Sequence, residues 1–225
     1  MIPLRDVIPS RTFPGVTITI IVLNALAFLY ELGLSERELT RFVLSWGVVP
    51  ARFDVLSAFT SMFLHGGWMH IIGNMLFLWI FGDNVEDRVG HGRFVVFYLL
   101  SGLIAALAHV WSDPSSVVPT IGASGAVAGV MGAYFVLYPH SRILTLLPIF
   151  FFIQIVEIPA IVFLGLWFLL QLVSGVGSSL LPAGTGMTGG IAFWAHVAGF
   201  AAGSVLILVF RRPERARVEW WDRAD

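Results

Sequence analysis

Apolar runs recur along this chain near residues 13–34, 68–82, 93–112, 123–139, 157–174 and 190–210. Each approaches the roughly 20 residues that an α-helix needs to cross the ~30 Å hydrocarbon core of a bilayer. A chain written this way reads as an all-α integral membrane protein of six transmembrane helices. The rest of the composition agrees: only 12% of its 225 residues are charged, and mean hydropathy is +0.87. A soluble domain is thereby excluded. A net charge of −1 gives no electrostatic footprint for nucleic acid. The first run is too long for the core of a signal peptide and has no small-residue cleavage site after it, so it reads as a retained span. The whole chain, 1–225, reads as one membrane domain with no soluble domain before or after the spans.

The stretch 143–156, ILTLLPIFFFIQIV, fits this pattern poorly. It is too short to cross alone and is interrupted by Pro148, so it is expected to be an interfacial or re-entrant approach to the fifth span. Arginine placement sets the orientation. Arg5, Arg11, Arg88, Arg93, Arg142 and the arginines from Arg211 onward fall on one side, against Arg37, Arg41 and Arg52 in the loop 35–67 on the other. Positive residues favour the cytoplasmic side, which puts both termini there, with the plasma (bacterial inner) membrane as the expected location.

Polar side chains inside membrane spans are costly and usually functional. His70 and Asn74 lie in the second span, Ser124 in the fourth and His196 in the sixth. Ser124 is 15 residues before Pro139, His196 is 15 before Arg211, and His70 is 13 before Asp83. At 1.5 Å per residue the three sit at one level, roughly 20 Å above the cytoplasmic face. Gly125, Gly129 and Gly132 form a stripe beside Ser124, and Gly199 and Gly203 follow His196 at helical spacing. Small residues let membrane helices approach closely, so the fourth and sixth helices are expected to bring the Ser124 hydroxyl to the His196 ring. Gly122 leaves room for a substrate strand beside the serine.

This arrangement permits nucleophilic catalysis, with an imidazole taking the serine proton. His70, Asn74 and backbone N–H groups at the head of the fourth helix are candidate donors to an oxyanion. Each residue also has a plain structural reading: the serine bonding back to its own helix, the asparagine joining helices, the glycines merely packing. Other chemistries fail on inventory. With no cysteine and no lysine, thiol nucleophiles and Ser–Lys dyads are excluded; every aspartate lies in a loop or tail, and no HExxH zinc motif occurs. No metal or cofactor is expected. A small polar-solute transporter lined by the same four residues stays open as a second reading, and a non-catalytic membrane chaperone as a third.

HIIGN from His70 to Asn74, GDNVEDRVG after the second span, GASG around Ser124 and AHVAGFAAG around His196 together resemble the rhomboid intramembrane serine proteases, over nearly the whole chain. The resemblance implies a six-helix rhomboid-like bundle with Ser124 as nucleophile and His196 as base. It also implies an oxyanion hole of His70, Asn74 and the Ser124 amide, supported by the packing glycines 122, 125, 129, 199 and 203. The implied reaction is cofactor-free hydrolysis of peptide bonds in or near the transmembrane segments of substrate proteins held in the lipid bilayer. Two departures stand out. Ala128 occupies the position where some members carry an aromatic ring under the histidine, and Leu56-Ser57 stands where some carry a Trp-Arg pair in the first outer loop. What orients His196 is therefore open, and Trp46 or Arg52 is the expected substitute anchor of that loop. A lateral gate is expected at the fifth span and the glycine-rich loop 174–190.

Overall fold

The computed structural model describes residues 1–149, 152–179 and 192–212. The element order is β1 (Ile2–Asp6), α1 (Gly15–Leu32), α2 (Glu36–Trp46), α3 (Val55–Thr60), α4 (Trp68–Val89), α5 (His91–Ser112), α6 (Ser124–Leu137), β2 (Arg142–Ile149), β3 (Phe152–Pro159), α7 (Ala160–Ser179) and α8 (Phe193–Phe210). Short 3₁₀ turns at Pro50–Arg52 and Ser61–Phe63 punctuate the first loop. Residues 180–190 of the expected gate loop, and the arginine tail from Pro213, lie outside the described residues.

Each of the six apolar runs has its described core on a helix, although the first three residues of the fifth, 157–159, belong to β3. Among the described residues α1, α5, α7 and α8 are long and apolar enough to cross a membrane, and Val55–Phe63 with α4 forms a further pair bent by 93°. The 14-residue α6 is shorter than a full span; at 1.5 Å per residue it covers about 21 Å. It is also the centre of the bundle, buried at every residue from Gly125 to Tyr134. Apolar side chains such as Leu26, Leu29, Val205 and Val209 point outward, as they do in a protein solvated by lipid.

Lipid supplies no hydrophobic drive between helices, so α6 and α8 are held by close contact. A Cβ on Gly203 would lie 1.8 Å from the carbonyl oxygen of Gly129, and one on Gly199 would lie 2.1 Å from that of Gly125. The backbones therefore touch. Gly125 and Gly129 also serve a second neighbour, since side chains there would strike Ala105 and Ser101 of α5. Ser204 donates to the Gly132 carbonyl across the same seam at 3.1 Å. Such bonds average only about 0.6 kcal/mol in membranes, so packing carries the contact.

The second expected span ends near Asp83 in the sequence, yet α4 continues to Val89. Its charged end is satisfied by the N-terminal segment. Buried Glu86 accepts hydrogen bonds from the backbone N–H groups of Val16 (3.0 Å) and Thr17 (2.8 Å), from the Thr17 hydroxyl (2.7 Å), and pairs with His91 Nδ1 at 2.5 Å. The first N–H groups of α1 have no partner within their own helix, and a carboxylate there is favoured by the helix dipole as well. Asp87 likewise accepts from the Arg11 and Thr12 backbone N–H groups.

The all-α expectation needs correction at the N-terminal segment and at 142–159. The described residues of the stretch 143–156 are strands, a conformation that the expectation of an interfacial or re-entrant approach to the fifth span did not include. Antiparallel β2 and β3 pair from Arg142↔Pro159 to Ile149↔Phe152, and β1 adds to the other edge of β2. Runs such as RILTL and FIQIVEI alternate β-branched with other side chains, which suits a strand. Pro148 breaks a helix but not this sheet, because β1 pairs only as far as Leu146 and β2 has a single neighbour beyond it. Asp6 ties the sheet to the bundle, accepting from Tyr134 Oη at 2.6 Å and Asn84 Nδ2 at 3.0 Å.

Burial pushes the Asp6 carboxyl up to about 6, the Tyr134 hydrogen bond opposing this in part and the charge of Asp83 adding to it. A carboxyl whose pKa rises on folding stabilises the fold while protonated, and that contribution is lost as pH rises through the folded value. The thermal midpoint of wild type in detergent should therefore fall more between pH 5 and pH 7 than that of Asp6→Asn. Equal slopes would show that Asp6 does not titrate in the folded protein. Gly203→Ala should destabilise by about 1–3 kcal/mol through overpacking. Gly92→Ala is the control, as nothing lies within 4 Å of its added Cβ.

Candidate active site

Ser124 is the first residue of α6 and stands directly after the turn Gly122-Ala123. Gly122 has φ +125, in the region favoured by glycine, and its N–H donates to the Ser61 carbonyl at 2.9 Å. The approach to the serine is pinned to the first loop, with Val48 and Thr120 paired as an antiparallel bridge and the Ala51 N–H bonded to Ser116 O. That loop is itself held by Arg52, whose guanidinium donates to Leu44 O at 3.0 Å, and by Thr60, which donates to Trp46 O at 2.7 Å. Arg52 acts through its side chain here and Trp46 through its main chain.

The α6–α8 seam brings the two residues expected to pair into contact: Ser124 Oγ lies 2.8 Å from His196 Nε2. The other ring nitrogen, Nδ1, is 2.8 Å from Gln171 Oε1 on α7. A carbonyl oxygen only accepts, so Nδ1 carries the proton and Nε2 presents its lone pair to the serine hydroxyl. One turn earlier on α7, the Trp167 ring lies 6.0 Å from the His196 ring at 37°. Gln171 and Trp167 were not among the residues expected from sequence. The signal was available, because Gln171 is the one amide side chain in the apolar stretch 160–173.

His70 and Asn74 share a face of α4, beside the serine. The Gly66 N–H donates to His70 Nδ1 at 3.3 Å, which leaves Nε2 as the protonated nitrogen. That Nε2 would be 2.5 Å from a Cβ placed on Gly122, so the ring abuts the turn before the nucleophile. Asn74 Nδ2 lies 3.7 Å from the same point and is buried with no hydrogen-bond partner among the described residues. Two N–H donors therefore face the space next to Ser124 without an acceptor among the described residues, and that of Asn74 is buried, which is uncommon for a donor. The remaining histidines with described contacts are structural: His65 donates its backbone N–H to Glu31, His91 pairs with Glu86, and His109 Nε2 is hydrogen-bonded to Thr120 Oγ1 at 2.7 Å.

Ser124, His196, His70, Asn74 and Gln171 all line one cavity of about 730 Å³, whose apolar wall includes Met62, Phe77 and Met131. Among the described residues no three His, Cys, Asp or Glu side chains converge as a metal site requires.

Fold and cavity together describe an integral, multi-pass helical membrane protein with a polar, serine-bearing cavity inside the bundle. The family model of the rhomboid domain matches residues 52–213, and the chain belongs to the rhomboid family. It is 36% identical over 93 residues to Rhomboid protein 1, mitochondrial, of Saccharomyces cerevisiae, a match covering 40% of this chain and 27% of that protein. Against Rhomboid protease GlpG of Salmonella newport it is 32% identical over 118 residues, covering 51% and 41%. Against Rhomboid protease GluP of Bacillus subtilis it is 40% identical over 74 residues, covering 33% and 14%. The matches span less than half the length of each of these relatives.

A methyl group at position 122 would meet both an unfavourable φ and the His70 ring. Gly122→Ala should therefore lower stability by about 1–3 kcal/mol, read from thermal unfolding. Gly73→Ala, with open space at its Cβ, should leave it unchanged.

Proposed function

We propose that this chain is an intramembrane serine endopeptidase that cleaves peptide bonds in or near the transmembrane segments of membrane proteins. The observation that carries the reading is the 2.8 Å contact between Ser124 Oγ and His196 Nε2 inside a cavity of a membrane bundle. The Asn74 amide beside it, with no hydrogen-bond partner among the described residues, supplies a donor for an oxyanion.

In this reading Ser124 Oγ attacks the substrate carbonyl carbon as its proton passes to His196 Nε2. The carbonyl oxygen becomes an oxyanion that accepts from His70 Nε2–H, Asn74 Nδ2–H and the Ser124 backbone N–H. The bond to the leaving nitrogen then breaks, and that nitrogen takes the proton from His196, leaving an ester on Ser124. Water attacks the ester with His196 again as base, releasing the acid and restoring the hydroxyl. A donor aimed at the oxyanion is worth about 10²–10³ in rate. The chain's own groups suffice for each proton transfer, with no metal or cofactor in any step. A substrate helix must unwind to expose its peptide bond, which favours Gly, Pro or polar residues near the outer membrane face. Six spans with both termini cytoplasmic, in the plasma membrane of a bacterium, complete the proposal and rest on the arginine asymmetry.

Cleavage of a model transmembrane substrate by the purified protein in detergent tests it. Ser124→Ala and His196→Ala should abolish cleavage while remaining folded. Asn74→Ala should lower kcat about 10²–10³-fold with little change in KM. Undiminished cleavage by Ser124→Ala would sink the proposal.

A further inference from the structure

The His196 ring is supported from one helix that is neither its own nor the serine's. Position 128 of α6 is a fully buried alanine, so α6 contributes no ring beneath the imidazole. Two contacts replace it, and both come from α7. Gln171 Oε1 accepts from Nδ1 at 2.8 Å, and the Trp167 ring lies 6.0 Å away at a 37° tilt. The two residues are four apart and therefore on one face of α7. A ring in an apolar bundle without a polar partner at Nδ1 is free to carry its proton on either nitrogen and to turn about its side-chain bonds. The Gln171 carbonyl removes both freedoms.

We propose that Gln171 is the positioning residue of the dyad, holding His196 in the tautomer and orientation in which Nε2 accepts the Ser124 proton, with Trp167 as the ring that backs it. This deepens the protease reading and rests on it. The orienting group is a neutral amide, so it fixes geometry without the stabilisation that a carboxylate lends an imidazolium. The group also sits on a helix at the periphery of the bundle. α7 buries Ala160, Phe163 and Leu164 toward its start, while Leu166, Leu169, Leu170 and Val173 are exposed around Gln171. Alignment of the base thus depends on α7 lying against α8, and displacement of α7 by an incoming substrate helix would release it.

The test is the second-order rate at which an alkyl fluorophosphonate modifies the full-length protein in detergent, measured from pH 5 to 9. Wild type, Gln171→Met, Gln171→Glu and Ser124→Ala are compared, each with its thermal midpoint. Gln171→Met keeps the length of the side chain but offers no oxygen to Nδ1–H. It should react about 10–100-fold more slowly at an unchanged midpoint, a part of the roughly 10²–10⁴ that a positioned base contributes. Gln171→Glu restores an acceptor and should recover most of the rate, with the acid limb of the profile moved up by about one pH unit. Gln171→Met reacting within twofold of wild type overturns the proposal. If Gln171→Met does not fold, the Gln171→Glu profile decides: a displaced acid limb supports the assignment, and one superimposed on wild type overturns it. Labelling that persists in Ser124→Ala overturns the dyad and this inference together. Labelling lost in Ser124→Ala but indifferent to both Gln171 variants overturns the Gln171 assignment alone.

Discussion

The contact on which the rest of this structure depends is the one between the backbones of α6 and α8. The 2.8 Å hydrogen bond between the short Ser124 side chain and His196 spans this seam. Gly199 and Gly203 lie against Gly125 and Gly129, where even one methyl group would overlap a carbonyl oxygen. In lipid such a seam cannot be replaced by larger apolar residues, because hydrocarbon outside the bundle solvates those as well as a neighbouring helix does. With α4 and α5 covering its other sides, α6 is buried throughout its middle, so its short length is no defect: its head need only reach the cavity where Ser124 sits.

Several polar groups within the bundle are tied to a neighbour. Glu86 is saturated by the first turn of α1 and by His91. Gly122 is held by Ser61, and His70 receives a hydrogen bond from Gly66. The Asn74 amide has no such partner among the described residues, and it stands beside the serine. A donor placed there is available to a negative charge that forms next to the hydroxyl, which is the physical core of the protease proposal.

Much of this was legible in the sequence. Helices occur where the apolar runs predict them, because a segment with nothing but lipid or protein around it must satisfy its own backbone. Ser124, His196, His70 and Asn74 stood out as polar groups where polarity is expensive, and the glycine spacings identified which helices touch. The strands at 142–149 and 152–159 were not expected, because Pro148 and a run of large apolar residues leave the local conformation open. The deciding factor was the pairing of β1 with β2 across more than a hundred residues, and local periodicity carries no trace of it. Gln171 was visible as a lone amide in an apolar helix, but its meaning depends on the rotation of α7 about its own axis.

By itself, then, the sequence determined the helical membrane class, the inventory of reactive groups and the helices that carry them, since these follow from transfer free energies and helical period. Tertiary structure decided which atoms meet. It set the proton on Nδ1 of His196 and the source of that ring's support. It also assigned Glu86 to the start of α1 and β2 to the N-terminal strand. Each of these is a contact between residues far apart in the chain, where a shift of an ångström or a small rotation changes the partner without changing any local preference.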